Sequence, residues 1–111
     1  MVYAVNPKGH DISLADNYGK VVVLWPEKGM NPFALDTRLA ELRAALRASQ
    51  SQDLVLLCGS TPLNTLTTSY MLENHGKVNL LIYSHTRQDY EVRSYTREEL
   101  HGIGTGDHAE N

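Results

Sequence analysis

With 111 residues, the chain is the size of one domain and can bury a core without disulfide or metal staples. Its hydrophobic fraction of 41% and charged fraction of 21% exclude wholesale disorder. The net charge of -3 gives no long-range attraction to phosphate backbones and is too small for a nucleic-acid mimic.

In chain order, Val2 to Val5 is a short apolar run stopped by Asn6-Pro7 and reads as a first strand with no assigned neighbour. Ser13 and Asp16 fit a capping box, which predicts one or two helical turns ending before Gly19. Lys20 to Trp25 is apolar on both faces and predicts an interior strand, halted by Pro26. Asn31 as N-cap and Pro32 as first residue open a helix to about Ser49. In it Leu35, Leu39, Leu42 and Leu46 form one stripe, with Asp36, Arg38, Glu41, Arg43 and Arg47 opposite.

A polar connector, Ser49 to Asp53, leads into Leu54 to Cys58, a second two-sided apolar run and hence a second interior strand. Thr61 as N-cap and Pro62 at the first position start a helix carrying Leu63, Leu66, Tyr70 and Met71, which Asn74-His75-Gly76 ends. Lys77 to Tyr83 is the third interior strand. After a polar turn at Ser84 to Asp89, the alternation of Tyr90 to Tyr95 predicts an antiparallel edge strand. Thr96 and Glu99 form a second capping box. The expected domain is 1–101, and residues 102–111, glycine-rich and almost without bulky side chains, read as a flexible tail.

Two consecutive βαβ units with right-handed crossovers give an α/β fold, a small Rossmann-like three-layer sandwich of three parallel strands plus an antiparallel edge hairpin. Its exposed edges are compatible with a homodimer. The short N-terminal apolar run lacks the core of a signal peptide, and no run approaches the ~18 residues that span a bilayer. A soluble, cytoplasmic protein that engages no membrane is therefore expected.

Open parallel sheets bind ligands beyond the carboxyl ends of their strands, which here directs attention to Trp25, Glu27, Lys28, Gly59, Ser60, Thr61, Ser84 and His85. Gly59-Ser60-Thr61 has the makings of an anion cradle at a helix start, with Lys28, Ser84 and His85 around it. The same tripeptide equally serves as a turn, a cap and a helix start. It is neither a Walker loop nor GxGxxG. A hydrolase would need Ser60 or Cys58 as nucleophile, His85 as base and Glu27 or Asp89 to orient it, and no local signature such as GxSxG supports that set. The histidines at 10, 75, 85, 101 and 108 show no metal-ligand spacing, so neither a metal nor any other cofactor is expected. Arg87, Arg93 and Arg97 with Tyr90 and Tyr95 suggest a nucleic-acid surface, but Glu91, Glu98 and Glu99 cancel most of its field.

Two resemblances accompany these residues. The order capped turn, Gly19 to Leu24, Leu/Ala/Arg helix, Asp53 to Cys58, Gly59-Ser60-Thr61-Pro62-Leu63-Asn64 and Gly76 to Ile82 resembles small uncharacterised proteins of tailed bacteriophages, over about residues 3–95. That resemblance implies an origin and no activity. The strand followed by Gly59-Ser60-Thr61-Pro62 is also similar to the ligand loop of CRISPR-associated Rossmann-fold sensor domains, which read cyclic oligonucleotides through a Gly-Gly-Thr-Lys-like loop. Ser60 and Pro62 depart from that pattern, and Pro62 removes its phosphate-facing cation. The expectation is a non-enzymatic protein of phage or mobile-element origin, acting in the host cytoplasm on an unknown protein partner. The alternative is a nucleotide or phosphate-ligand domain using Gly59-Ser60-Thr61.

Overall fold

A computed structural model describes residues 1–27 and 30–102. Five strands, β1 (Val2–Ala4), β2 (Val21–Val23), β3 (Leu54–Leu56), β4 (Lys77–Ser84) and β5 (Asp89–Thr96), form one sheet in the order β2-β1-β3-β4-β5. The first four are parallel, and β5 runs antiparallel to β4 from Asp89 opposite Ser84 to Thr96 opposite Lys77. Helices α1 (Leu35–Ala45), α2 (Thr61–His75) and α3 (Arg97–Leu100) and a 3₁₀ segment at Ser13–Tyr18 complete the chain. This is the expected Rossmann-like α/β sandwich, with four parallel strands in place of three. No helix among the described residues is long and apolar enough to cross a membrane.

The connection from β1 to β2 moves one place along the sheet, and the next passes back over β1 to β3. Connections of one hand that travel in opposite directions must lie on opposite faces. Side-chain alternation shows that they do. Tyr3, Val5, Val55 and Val78 meet Leu42 of α1, Leu46 at its C-cap, and Leu63 and Met71 of α2. Val2, Ala4, Leu56 and Leu81 meet Ala15 of the 3₁₀ segment and Tyr90.

Two differences from the sequence reading concern placement. Lys20 to Trp25, expected inside the sheet, supplies the edge strand β2, and Val23 is 40% exposed. The interior place between β2 and β3 belongs to β1, whose three residues are all buried. A two-sided apolar run reports coverage of both faces, not the presence of two neighbouring strands. Val21 packs towards the 3₁₀ segment and Val22 towards the helices, so β2 carries the pattern of an interior strand at an edge.

The other differences are local. Helix α1 begins at Leu35, because Asn31 Oδ1 accepts from the Phe33 amide at 3.0 Å and closes a turn before the helix. Only the second half of the leucine stripe is buried, with Leu42 and Leu46 inside and Leu35 48% exposed. The Ser13 box does not form, since Asp11 Oδ1 takes the Ser13 amide at 2.9 Å. The box at Thr96 does form, with Glu99 N donating to Thr96 Oγ1 at 3.0 Å and Thr96 N to Glu99 Oε1 at 2.9 Å. Lys28 and residues 103–111 of the expected tail lie outside the described residues.

The contrast within one stripe gives a stability test. Leu42→Ala should cost about 2–5 kcal/mol through lost burial and a cavity, whereas Leu35→Ala should stay within about 0.5 kcal/mol. Urea denaturation of the two variants measures the difference, and equal costs would contradict the packing of α1.

Candidate functional site at the carboxyl edge of the sheet

After β1 the chain leaves towards the 3₁₀ face, and after β3 towards α2 on the other face. The carboxyl ends of these two neighbours therefore flank the switch point, where open α/β sheets bind ligands. Here the side chain of Asn6, 1% exposed, fills it. Its Nδ2 donates to Trp25 O at 2.6 Å and Glu27 O at 3.4 Å, and its Oδ1 accepts from the Ser60 amide at 3.2 Å. Its own amide donates to Cys58 Sγ at 3.4 Å. Gly59 is pressed against it in a left-handed conformation with φ +75°. A Cβ there would stand 2.0 Å from Asn6 O and 2.6 Å from Asn6 Oδ1. The glycine is demanded by Asn6, and the amide of Ser60 is already committed.

The start of α2 is organised by a residue that the sequence reading did not single out. Ser60, not Thr61, is the N-cap, and it makes no side-chain cap bond. Asn64 does the work instead: its Oδ1 accepts from Cys58 N at 3.1 Å, and its Nδ2 donates to Cys58 O at 2.9 Å and Ser60 O at 2.8 Å. Ser60 Oγ is buried without a hydrogen-bond partner among the described residues. An asparagine one turn into a helix, after Gly-Ser-Thr-Pro, is the signal that was available for this cap. Nothing local marks Asn6, whose partners lie 19 to 54 residues away.

The predicted rim residues divide between two cavities. Gly59 and Thr61 line a groove of about 660 Å³ beside α2, floored by Leu57, Leu80 and Tyr95. His85 lines a separate cavity of about 330 Å³ on the 3₁₀ side, with His10, Asp11, Tyr83 and Tyr90. Cys58 borders both. Ser84 Oγ accepts from Arg87 N at 3.3 Å inside the hairpin turn and borders neither, and Ser60 lines neither as well. Trp25 turns inward, buried, with Nε1 donating to Glu41 Oε1 at 2.8 Å. Ser60 and His85 thus share no cavity.

Burial pushes the Cys58 thiol up, against the opposing effect of backbone hydrogen bonds from Asn6 and Val5, and the thiol donates to Leu56 O at 3.6 Å. It is a protonated thiol at neutral pH, unlike an activated nucleophile. Burial first raises the Tyr90 phenol, followed by repulsion from Cys58, Tyr83, Asp11 and Asp89 in their ionised forms. The amide and hydroxyl of Ser13 lower Asp11. The wall of the smaller cavity is aromatic: Tyr83 stands edge-on to His85 at 5.0 Å and to Tyr90 at 5.4 Å, and Tyr90 to Tyr18 at 6.0 Å. Among the described residues no three His, Cys, Asp or Glu side chains are placed to hold a metal ion.

A family model described as Phage Pam3 gp32-like protein matches residues 2–96. No curated protein and no solved structure matches the chain. The likeness of the Gly59-Ser60-Thr61-Pro62 turn to CRISPR-associated sensor loops finds no support in these comparisons.

Two outcomes follow from the switch point. Gly59→Ala should destabilise by more than the ~1–2 kcal/mol of a left-handed alanine, because the added methyl also displaces Asn6, whereas Ser60→Ala should be neutral or stabilising. Denaturant midpoints of the pair decide it, and a tolerated alanine at 59 would mean that the two turns are not in contact. The raised Cys58, Tyr3 and Tyr90 groups hold protons in the folded state that the unfolded chain releases. Stability should therefore be full below the unfolded thiol pKa near ~8.5 and fall as pH rises through it, continuing through the phenol range. Cys58→Ala should remove the first part of that decline in urea titrations, and an unchanged slope would contradict the buried thiol.

Proposed function

The chain belongs to the phage Pam3 gp32-like protein family, and from that premise we propose that it acts by binding, without catalysis, a partner that lays an extended polypeptide segment in the groove beside α2. The observation that carries this reading is the lining of the groove. Leu57, Leu80 and Tyr95 form an apolar floor, and Thr61, Asn64, Thr65, Thr68 and Ser69 form a rim of neutral hydroxyl and amide groups, with no charged side chain among them. Such a surface suits a peptide, which offers apolar side chains and uncharged backbone donors and acceptors. From Thr61 to Ser69 the helix rises ~12 Å, about the length of four extended residues.

The alternative, a nucleotide or phosphate ligand on Gly59-Ser60-Thr61 with His85, is less well supported. The Ser60 amide serves Asn6, and His85 lines the other cavity. The two candidate nucleophiles favour binding over chemistry as well, since Ser60 Oγ is buried and the Cys58 thiol is held protonated.

Thr65 is exposed on the rim, so Thr65→Trp should fill the groove and leave the fold intact. Capture of host and phage proteins on the immobilised wild-type chain should yield a partner that Thr65→Trp loses, with equal melting temperatures. Thermal-shift titration with mono-, di- and cyclic nucleotides separates the alternative. A nucleotide-induced shift that survives Thr65→Trp, or a partner retained by that variant, would displace the groove reading.

A further inference from the structure

Strand β5 ends the sheet, and its outer side meets no other strand among the described residues. It is the longest parallel-free edge the fold offers: eight residues, Asp89–Thr96, without proline or glycine. Among the described residues, the chain that follows turns away from it. Arg97 N donates to Gly76 O at 3.0 Å, and Arg97 Nη2 donates to Leu72 O at 3.2 Å and Glu73 O at 2.9 Å, which draws α3 back towards the end of α2. An uncovered edge of this length is a template for another strand unless charge or shape prevents it.

We propose that the occupant is a second copy of this chain, paired antiparallel along β5 about a two-fold axis through Val92, so that two sheets join into one. The charge pattern of the strand carries the inference. A two-fold axis normal to the sheet places each residue opposite one of equal parity, so the register is defined by the residue on the axis. With Val92 on the axis, Glu91 of each copy lies opposite Arg93 of the other, Tyr90 opposite Ser94, and the exposed Val92 side chains, 42% accessible in one copy, meet each other. Centring on Glu91 or Arg93 sets like charges face to face, and centring on Tyr90 opposes Asp89 to Glu91. Opposite charges directly across a strand pair stabilise it and like charges destabilise it. The pairing about Val92 joins two complementary charge pairs and one apolar pair, and it uses the strand from Asp89 to Tyr95.

Within one copy Glu91 already faces Arg93, and Arg87 stands 3.8 Å from it. These groups are surface-exposed or partly so, and the second copy adds a cation across the strand without burying a lone charge. This inference concerns the edge of the sheet and stands independently of the groove beside α2.

Sedimentation equilibrium and native mass spectrometry of the full chain test it, with circular dichroism and thermal melts to show that every variant folds. The wild type should be a dimer. Glu91→Arg alone sets arginine against arginine, and Arg93→Glu alone sets glutamate against glutamate, so each should raise the dimer dissociation constant about tenfold or more. Their equimolar mixture should form a dimer with one copy of each, and the double variant Glu91→Arg/Arg93→Glu should dimerise like the wild type. A monomeric wild type, single variants that dimerise as well as the wild type, or a mixture that forms no mixed dimer would overturn the proposal.

Discussion

Everything at the carboxyl edge depends on one close approach, the backbone of Gly59 against Asn6. In most sheets of this kind the divergence of chain after two neighbouring strands leaves a crevice for a ligand. Here a buried carboxamide occupies it and satisfies three segments at once: the loop after β2 through Trp25 O and Glu27 O, the start of α2 through Ser60 N, and the end of β1 from which it projects. A buried amide left unpaired would cost about 1–3 kcal/mol, so each of these segments is held where it can be reached. Because the crevice is filled, open space is displaced to its two sides, one cavity against α2 and one against the 3₁₀ segment, with Leu57 and Cys58 bordering both.

That displacement bears on chemistry. A thiol in a dividing wall is desolvated on the way in and packed by Leu56, which raises its pKa and removes the thiolate that a nucleophile requires. Ser60, two residues on, has its hydroxyl turned away from solvent. The apparent catalytic vocabulary of Cys58, Ser60 and His85 is therefore split by the very packing that brings Gly59 to Asn6.

The sequence was most legible where signals are local. The three apolar runs, the hairpin, the Thr96 box and the Gly76 stop are each written within a few residues, and each is present. The runs did not reveal strand order, because two-sided hydrophobicity reports contacts on both faces, and β2 sends Val21 towards one cluster and Val22 towards the other while staying only partly buried. Capping at Asn31 and Ser13 failed for a related reason: a short polar side chain has several amides within reach, and the nearest turn competes with the helix. The site was least legible of all. Asn6 looks like a strand stop beside Pro7, and only its long-range partners give it a role.

The sheet is lopsided, and this sets where the molecule can be approached. Strands β1 to β3 have three paired residues each, ~10 Å, while β4 and β5 have eight, ~26 Å. The hairpin outruns both covering layers at its turn end, which leaves Ile82 and Tyr83 exposed while Val78 and Leu81 are buried, and Val92, opposite Leu81, is exposed because it lies on the edge strand. Its register is pinned at the other end. Asn79 donates to Ser51 O at 2.9 Å and Asp53 O at 3.1 Å, and its Oδ1 accepts from Ser94 Oγ at 2.7 Å. A slip of one residue would break that stitch and turn Glu91 and Arg93 to the opposite face. One polar residue at the amino end of the hairpin thus fixes which charges and which valine the free edge displays.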